Sequence, residues 1–203
     1  MNQIRFSITS LSLTLALLLV GASAQAGKFN EVLSAGDPAP DFSGLVGVDD
    51  REHGLATYKD ASVIVLLFTA NHCPVAKAYD ARLVALATEY KDKGVQVIAV
   101  SVSKLEADKL PKMKERAQAA GFNFPYLYDE SQDSARAYGA SATPHVFVLD
   151  GQRKIAYMGR IDDDINEGRI KKRYLRDAVN AVLAGGPPEA QETRPVGCPI
   201  IFE

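Results

Sequence analysis

Cysteine is scarce in this chain: its 203 residues hold only Cys73 and Cys198, with three histidines and no tryptophan. Two thiols so far apart make no C-x-x-C couple, and no cysteine follows the N-terminal leader for lipid attachment. The leader also lacks an Arg-Arg pair, which excludes a twin-arginine route. The leader's apolar segment falls short of the roughly 20 residues of a membrane-spanning helix, and Ser, Thr and Gly interrupt it. Positive charge is not in excess either, since the formal net charge is −2, so nothing recruits nucleic acid or an anionic lipid surface. No G-x-S-x-G elbow supports a hydrolase, and neither repeats nor low-complexity blocks occur.

What is present begins with a leader. One early charge, Arg5, precedes an uncharged stretch from Phe6 to Val20 and then the small residues of "GASAQAG". This pattern predicts a signal peptide over residues 1–26, cut after Ala24 or Ala26, and hence a periplasmic or extracellular protein with no stable membrane insertion after cleavage. Disulfides persist in such a compartment, which gives the two thiols weight. Residues 27–188 suffice for one domain, and residues 189–203 read as a tail carrying Cys198.

Within the domain, "VIVLLF" at 63–68 is apolar on both faces, as a central strand requires. The period then changes. Val75, Tyr79, Leu83, Leu86 and Tyr90 mark one face of a helix from Pro74 to Tyr90, closed by Gly94. "VQVIAVSV" from Val95 predicts the next strand, and Leu105 to Ala120 a second helix. A short extended piece, "FPYLYD", precedes a short helix from Ser131 to Tyr138. "HVFVLD", "GQRK" and "IAYMGRI" predict a hairpin, and the stripe through Ile170, Tyr174, Ala178 and Val182 a last helix. Strand and helix alternating before a hairpin predict an α/β fold with a mixed central sheet and helices on both faces.

Three stretches in order, "GDPAPDFSG", "VIVLLFTANHCPVA" and "YGASATPHVFVLDGQRKIAYMGRIDDD", resemble the redoxins, the alkyl hydroperoxide reductase and thiol-specific antioxidant family of the thioredoxin-like fold. More narrowly, Asn-His-Cys-Pro with a Gly-Cys pair near the C-terminus is similar to an exported bacterial branch. The resemblance covers residues 35 to 198. It implies a thiol-dependent oxidoreductase or antioxidant that acts on a peroxide or on a protein thiol or disulfide, with an external thiol as reductant and no cofactor.

The resemblance sets Cys73 at a helix N-terminus opened by Pro74, where thiol pKa values fall to about 3.5–7.5 from about 8.5. Thiolate chemistry there requires the sulfur to be accessible. Thr143-Pro144 resembles a cis-proline loop facing that helix start, so His72, Thr143 and Pro144 are the expected substrate contacts and Cys73 the nucleophile. Two departures stand out. Thioredoxin-type exchange uses C-x-x-C, and the missing cysteine is read at Ala70; peroxidatic sites carry threonine three residues before the cysteine, whereas Thr69 falls one residue too early.

Cys198 supplies two alternatives. It resolves a mixed disulfide on Cys73, or the pair forms a staple in a catalytically silent binding module. The staple would close about 125 residues and contribute about 4–5 kcal/mol in the chain-entropy model. His72, Cys73 and His145 make a weak metal set, and "DDDINEG" fails as a calcium loop because Arg173 occupies the twelfth place, so no metal is expected. The acids there are expected to precede the last helix, with Asn166 or a neighbour as its cap.

Overall fold

The computed structural model describes residues 27–203; the leader expected over residues 1–26 lies outside them. Strands β1 (Leu45–Gly47), β2 (Glu52–His53), β3 (Val63–Thr69), β4 (Val95–Ser101), β5 (Tyr126–Tyr128), β7 (His145–Leu149) and β8 (Ile155–Gly159) form one sheet. Its order is β2-β1-β5-β4-β3-β7-β8. Two further short strands, β6 (Ala142–Thr143) and β9 (Cys198–Pro199), pair with each other. The helices are α1 (Pro74–Lys77), α2 (Asp80–Tyr90), α3 (Leu110–Ala120), α4 (Asp133–Tyr138) and α5 (Tyr174–Leu183).

The alternation of side chains along β3 creates two cores. Val63, Val65 and Leu67 face one, filled by Tyr79, Leu83 and Leu86, Met113 of α3, and Leu175 and Val179 of α5. Ile64, Leu66 and Phe68 face the other, covered by Ala135 and Tyr138 of α4 and by Leu33, Phe42 and Leu55 of the lead-in. Strand β3 is parallel to β4 and antiparallel to β7. Being central and covered on both faces, it had to be apolar throughout. The result is the three-layer, thioredoxin-like arrangement with a mixed sheet.

The structure refines several boundaries. The expected helix from Pro74 breaks after α1, where the Tyr79 N–H bonds the Ala76 carbonyl at 3.1 Å, a tighter turn than the α-helix. Helix α3 starts at Leu110 rather than 105, after a turn at Glu106–Asp108. Pro111 explains this: it lacks an N–H and its ring would strike the carbonyl four residues back, so a helix can contain it only in its first turn. Asn166 caps the short turn Glu167–Arg169 through the Gly168 N–H, while α5 begins later at Tyr174.

The tail is bound along its length. Thr193 N–H bonds the Met158 carbonyl and Met158 N–H bonds the Gln191 carbonyl, both at 3.0 Å, which lays the tail beside the outer edge of β8. The Glu192 carboxylate accepts the N–H groups of Lys28, Phe29 and Asn30, tying the start of the described chain to the same tail. Beyond it, β9 pairs antiparallel with β6, Thr143 opposite Cys198.

Candidate active site

Strand β3 ends at Thr69, and a tight turn carries the chain to Cys73, which caps α1 in extended conformation. Pro74 occupies the first helical position, where its missing N–H is not needed. The Ala76 N–H donates to Cys73 Sγ at 3.4 Å. The opposing loop presents the Thr143-Pro144 peptide bond, which is cis, and the Thr143 carbonyl accepts the Cys73 S–H at 3.0 Å. The Cys198 thiol lies within hydrogen-bonding reach of Cys73 Sγ, and both cysteines are unbonded. Cys73, Thr143, Pro144 and Cys198 therefore meet at one point, 125 positions of sequence being closed by the β6–β9 pairing.

The two thiols are electrostatically unequal. Burial pushes the Cys73 thiol up, but donors from the Cys198 thiol, Thr143, the Ala76 N–H and the Cys198 N–H outweigh it, and the pKa falls below 9.0. The Thr143 carbonyl works the other way, since it can accept only from the protonated sulfur; the donors win by number. Burial and the neighbouring Cys73 push Cys198 up to about 11. Cys73 therefore loses its proton before Cys198, the order that favours attack by Cys73.

One expectation needs correction. Cys73 is not accessible: it is 0% exposed, because the strap from Gly197 to Ile200 lies across it. Ala70, three residues before it, is also fully buried and packs with Cys73 and Ala76, with Cys198 against the same cluster.

His72 is 35% exposed, and its Nδ1 is paired at 2.5 Å with Oδ2 of Asp108, which is fully buried. The His72 N–H also donates to Asp108 Oδ1 at 3.0 Å. The sequence reading missed Asp108, which lies in the loop between β4 and α3. Asn71 braces that loop by donating to the Ala107 carbonyl at 2.7 Å, while the Tyr126 hydroxyl and Arg116 donate to Asn71 Oδ1. A cavity of about 150 Å³ adjoins the site, bounded by Ala70, His72, Val102, Leu105, Thr143 and the strap residues Pro199 to Ile201.

Of the tail's apolar residues, Ile200 packs on the second core while Ile201 is 69% exposed. Neighbours on an extended strap face opposite sides, so both cannot dock. The end is held by Gln132, whose Nε2 donates to the Ile201 carbonyl, and by Arg136, whose guanidinium covers the Phe202 ring at 4.5 Å. His145 turns to Phe147, ring centroids 4.6 Å apart, and its Nδ1 accepts the Ser141 N–H. Among the described residues no three His, Cys, Asp or Glu side chains converge as a metal site.

A thiol capping a helix at the end of a central strand, opposite a cis-proline loop in a mixed sheet, defines a thioredoxin-fold, thiol-dependent oxidoreductase. The AhpC/TSA family sequence model matches residues 35–158, and the chain belongs to that family. It is similar to the thiol-disulfide oxidoreductase ResA of Geobacillus thermodenitrificans, 29% identical over 158 residues covering 76% of this chain and 86% of the relative. Among solved structures it resembles an uncharacterised conserved protein of Geobacillus kaustophilus (36% identity, TM-score 0.77, 84% of this chain and 93% of the other). It also resembles a hypothetical protein of Sinorhizobium meliloti (31% identity, TM-score 0.78, 86% and 97%).

Proposed function

We propose that this protein is an exported thiol-disulfide oxidoreductase in which Cys73 is the nucleophile and Cys198 the resolving thiol. The observation that carries the reading is the pairing of a low-pKa Cys73, at a helix start, with a high-pKa Cys198 brought to it by the strap. Cys73 thiolate attacks one sulfur of a substrate disulfide and releases the other half as a thiol. Cys198 then attacks the mixed disulfide at Cys73, releasing the second half and leaving a Cys73–Cys198 bond. An external dithiol returns both to the reduced state. His72, Thr143 and Pro144 contact the substrate as the strap lifts.

A disulfide suits the site better than a peroxide, because Thr69 closes β3 and the position three residues before Cys73 is the methyl of Ala70. Export rests on the leader, with residues 27–188 as the redoxin domain and 189–203 as the tail carrying Cys198; among the described residues no helix is long and apolar enough to cross a membrane.

The full burial of Cys73 favours a second reading, a silent binding module stapled by the same bond. A redox titration of the mature protein, read by mass spectrometry, separates the two. A Cys73–Cys198 bond cycling near about −200 mV, with reduction of an insulin disulfide, supports the enzyme; a bond below about −300 mV and no turnover with disulfide or peroxide supports the staple.

A further inference from the structure

Asp108 is a fully buried carboxylate, and its only ion-pair partner among the described residues is His72. Both of its oxygens are taken by that one residue, Oδ1 by the main-chain N–H and Oδ2 by the ring Nδ1. Burying a carboxylate without a partner is costly, so the arrangement favours a proton on Nδ1, donated to Asp108. It also fixes the imidazole's orientation, which leaves Nε2 as the nitrogen with no hydrogen-bond partner among the described residues. His72 immediately precedes Cys73 and borders the cavity that Ala70, Thr143 and the strap share. Lys104 and Glu203 border the same cavity and pair with each other, Nζ to Oε2 at 3.9 Å.

We propose that Asp108 is a positioning residue that holds His72 as the general acid for the thiol leaving group, an assignment that rests on the disulfide-exchange reading above. Cys73 thiolate attacks one sulfur of R–S–S–R′. The Cys73–S bond forms, the S–S bond breaks, and the electron pair leaves on R′S⁻, which takes the Nε2 proton of imidazolium His72 and departs as R′SH. Neutral His72 then accepts the Cys198 proton as that thiolate attacks the mixed disulfide, and returns it to the departing RS⁻. Two electrons pass from the Cys73/Cys198 pair to the substrate; a dithiol reductant restores them. The brace from Asn71 to Ala107 keeps the Asp108 loop in place while the strap, on the cavity's other side, moves.

The role predicts selectivity by leaving group, which a purely structural role does not. An alkyl thiolate such as that from glutathione disulfide is basic and needs the proton; the aromatic thiolate from 5,5′-dithiobis(2-nitrobenzoate) is a weak base and leaves without it. Single-turnover rates of the reduced mature protein with both disulfides, with the adduct mapped to Cys73, are the test. In Asp108→Ala and His72→Ala the glutathione disulfide rate falls about 100-fold or more, and its ratio to the aromatic rate falls by about 30-fold or more. Asp108→Asn, whose amide oxygen still accepts from Nδ1, falls less than Asp108→Ala. Equal losses with both disulfides, or no loss with either, overturn the assignment. Absence of reaction at wild-type Cys73 with both overturns the exchange reading as well. Should Asp108→Ala not fold, His72→Ala, at a half-buried position, carries the test alone.

Discussion

A methyl group at Gly197 should open the site. A Cβ there would lie 2.0 Å from the Thr143 carbonyl oxygen, 2.6 Å from its carbon and 3.1 Å from Pro144 Cδ. Gly197 is not among the glycines with positive φ, so Gly197→Ala brings no backbone strain of its own; the effect is steric. The obstacle is backbone on a paired strand, and the strap must withdraw by an ångström or more. It then loses the Cys198–Thr143 pairing and the hydrogen bond from Ile200 N–H to the Ser141 carbonyl. At about 1 kcal/mol per hydrogen bond the docked state weakens by about 2–3 kcal/mol, which raises the open fraction about 30–150-fold. Since Cys73 is fully buried when the strap is down, its alkylation rate follows the open fraction. The assay is iodoacetamide labelling of the reduced protein at about pH 10, where thiolate is not limiting, with Cys73 followed by peptide mapping. A Cys73 rate within about twofold of wild type would refute the claim that the strap is what covers the sulfur.

Two other perturbations read the electrostatics. In Cys198→Ala, Cys73 loses a thiol donor, so the midpoint of its alkylation rate against pH moves up towards 9.0; a midpoint that stays or falls removes Cys198 from the cause of the low pKa. His145 is 2% exposed, and burial pushes its pKa down from 6.5 to about 3. The unfolded chain binds that proton first, so stability is complete above pH 6.5 and is lost as the pH falls through that window, by about 4–5 kcal/mol at pH 3. Urea unfolding from pH 7 to pH 4 should therefore lose less stability in His145→Gln than in wild type; parallel profiles would show that His145 charges in the folded state.

How far the sequence carried this far depended on how local each signal was. Strand β3 was legible because a strand covered on both faces must be apolar at every position, and Val63 to Phe68 is. The hairpin of β7 and β8 announced itself through the turn between two alternating runs. Strands β1 and β2 did not: they have three and two residues, and main-chain bonds between them and from β1 to β5 hold them rather than any side-chain period. The helix start at Cys73 was visible in Pro74, but the burial of its sulfur was not, because the covering residues come from the far end of the chain. Asp108 was silent for the same reason. An acid in a loop 36 positions after His72 has no local pattern, and only the fold of β3 beside β4 puts the two together.

The placement of the second thiol follows from what the helix start can hold. The position three residues before Cys73 holds Ala70, fully buried and packed against Cys73 and Ala76, so the local turn offers no second thiol. With alanine there, the partner arrives on β9, and it arrives with a main-chain pairing to the cis-proline loop that also buries the nucleophile. Exchange with an outside disulfide and docking of the strap then compete for the same face of Cys73. Residues 197–203 are held by the β6–β9 pairing, by Ile200 on the second core and by polar contacts from Gln132 and Arg136, a local set that can open without unfolding the domain. In the proposed cycle, the thiol that resolves the mixed disulfide is thus attached to the element that must move aside for it to form.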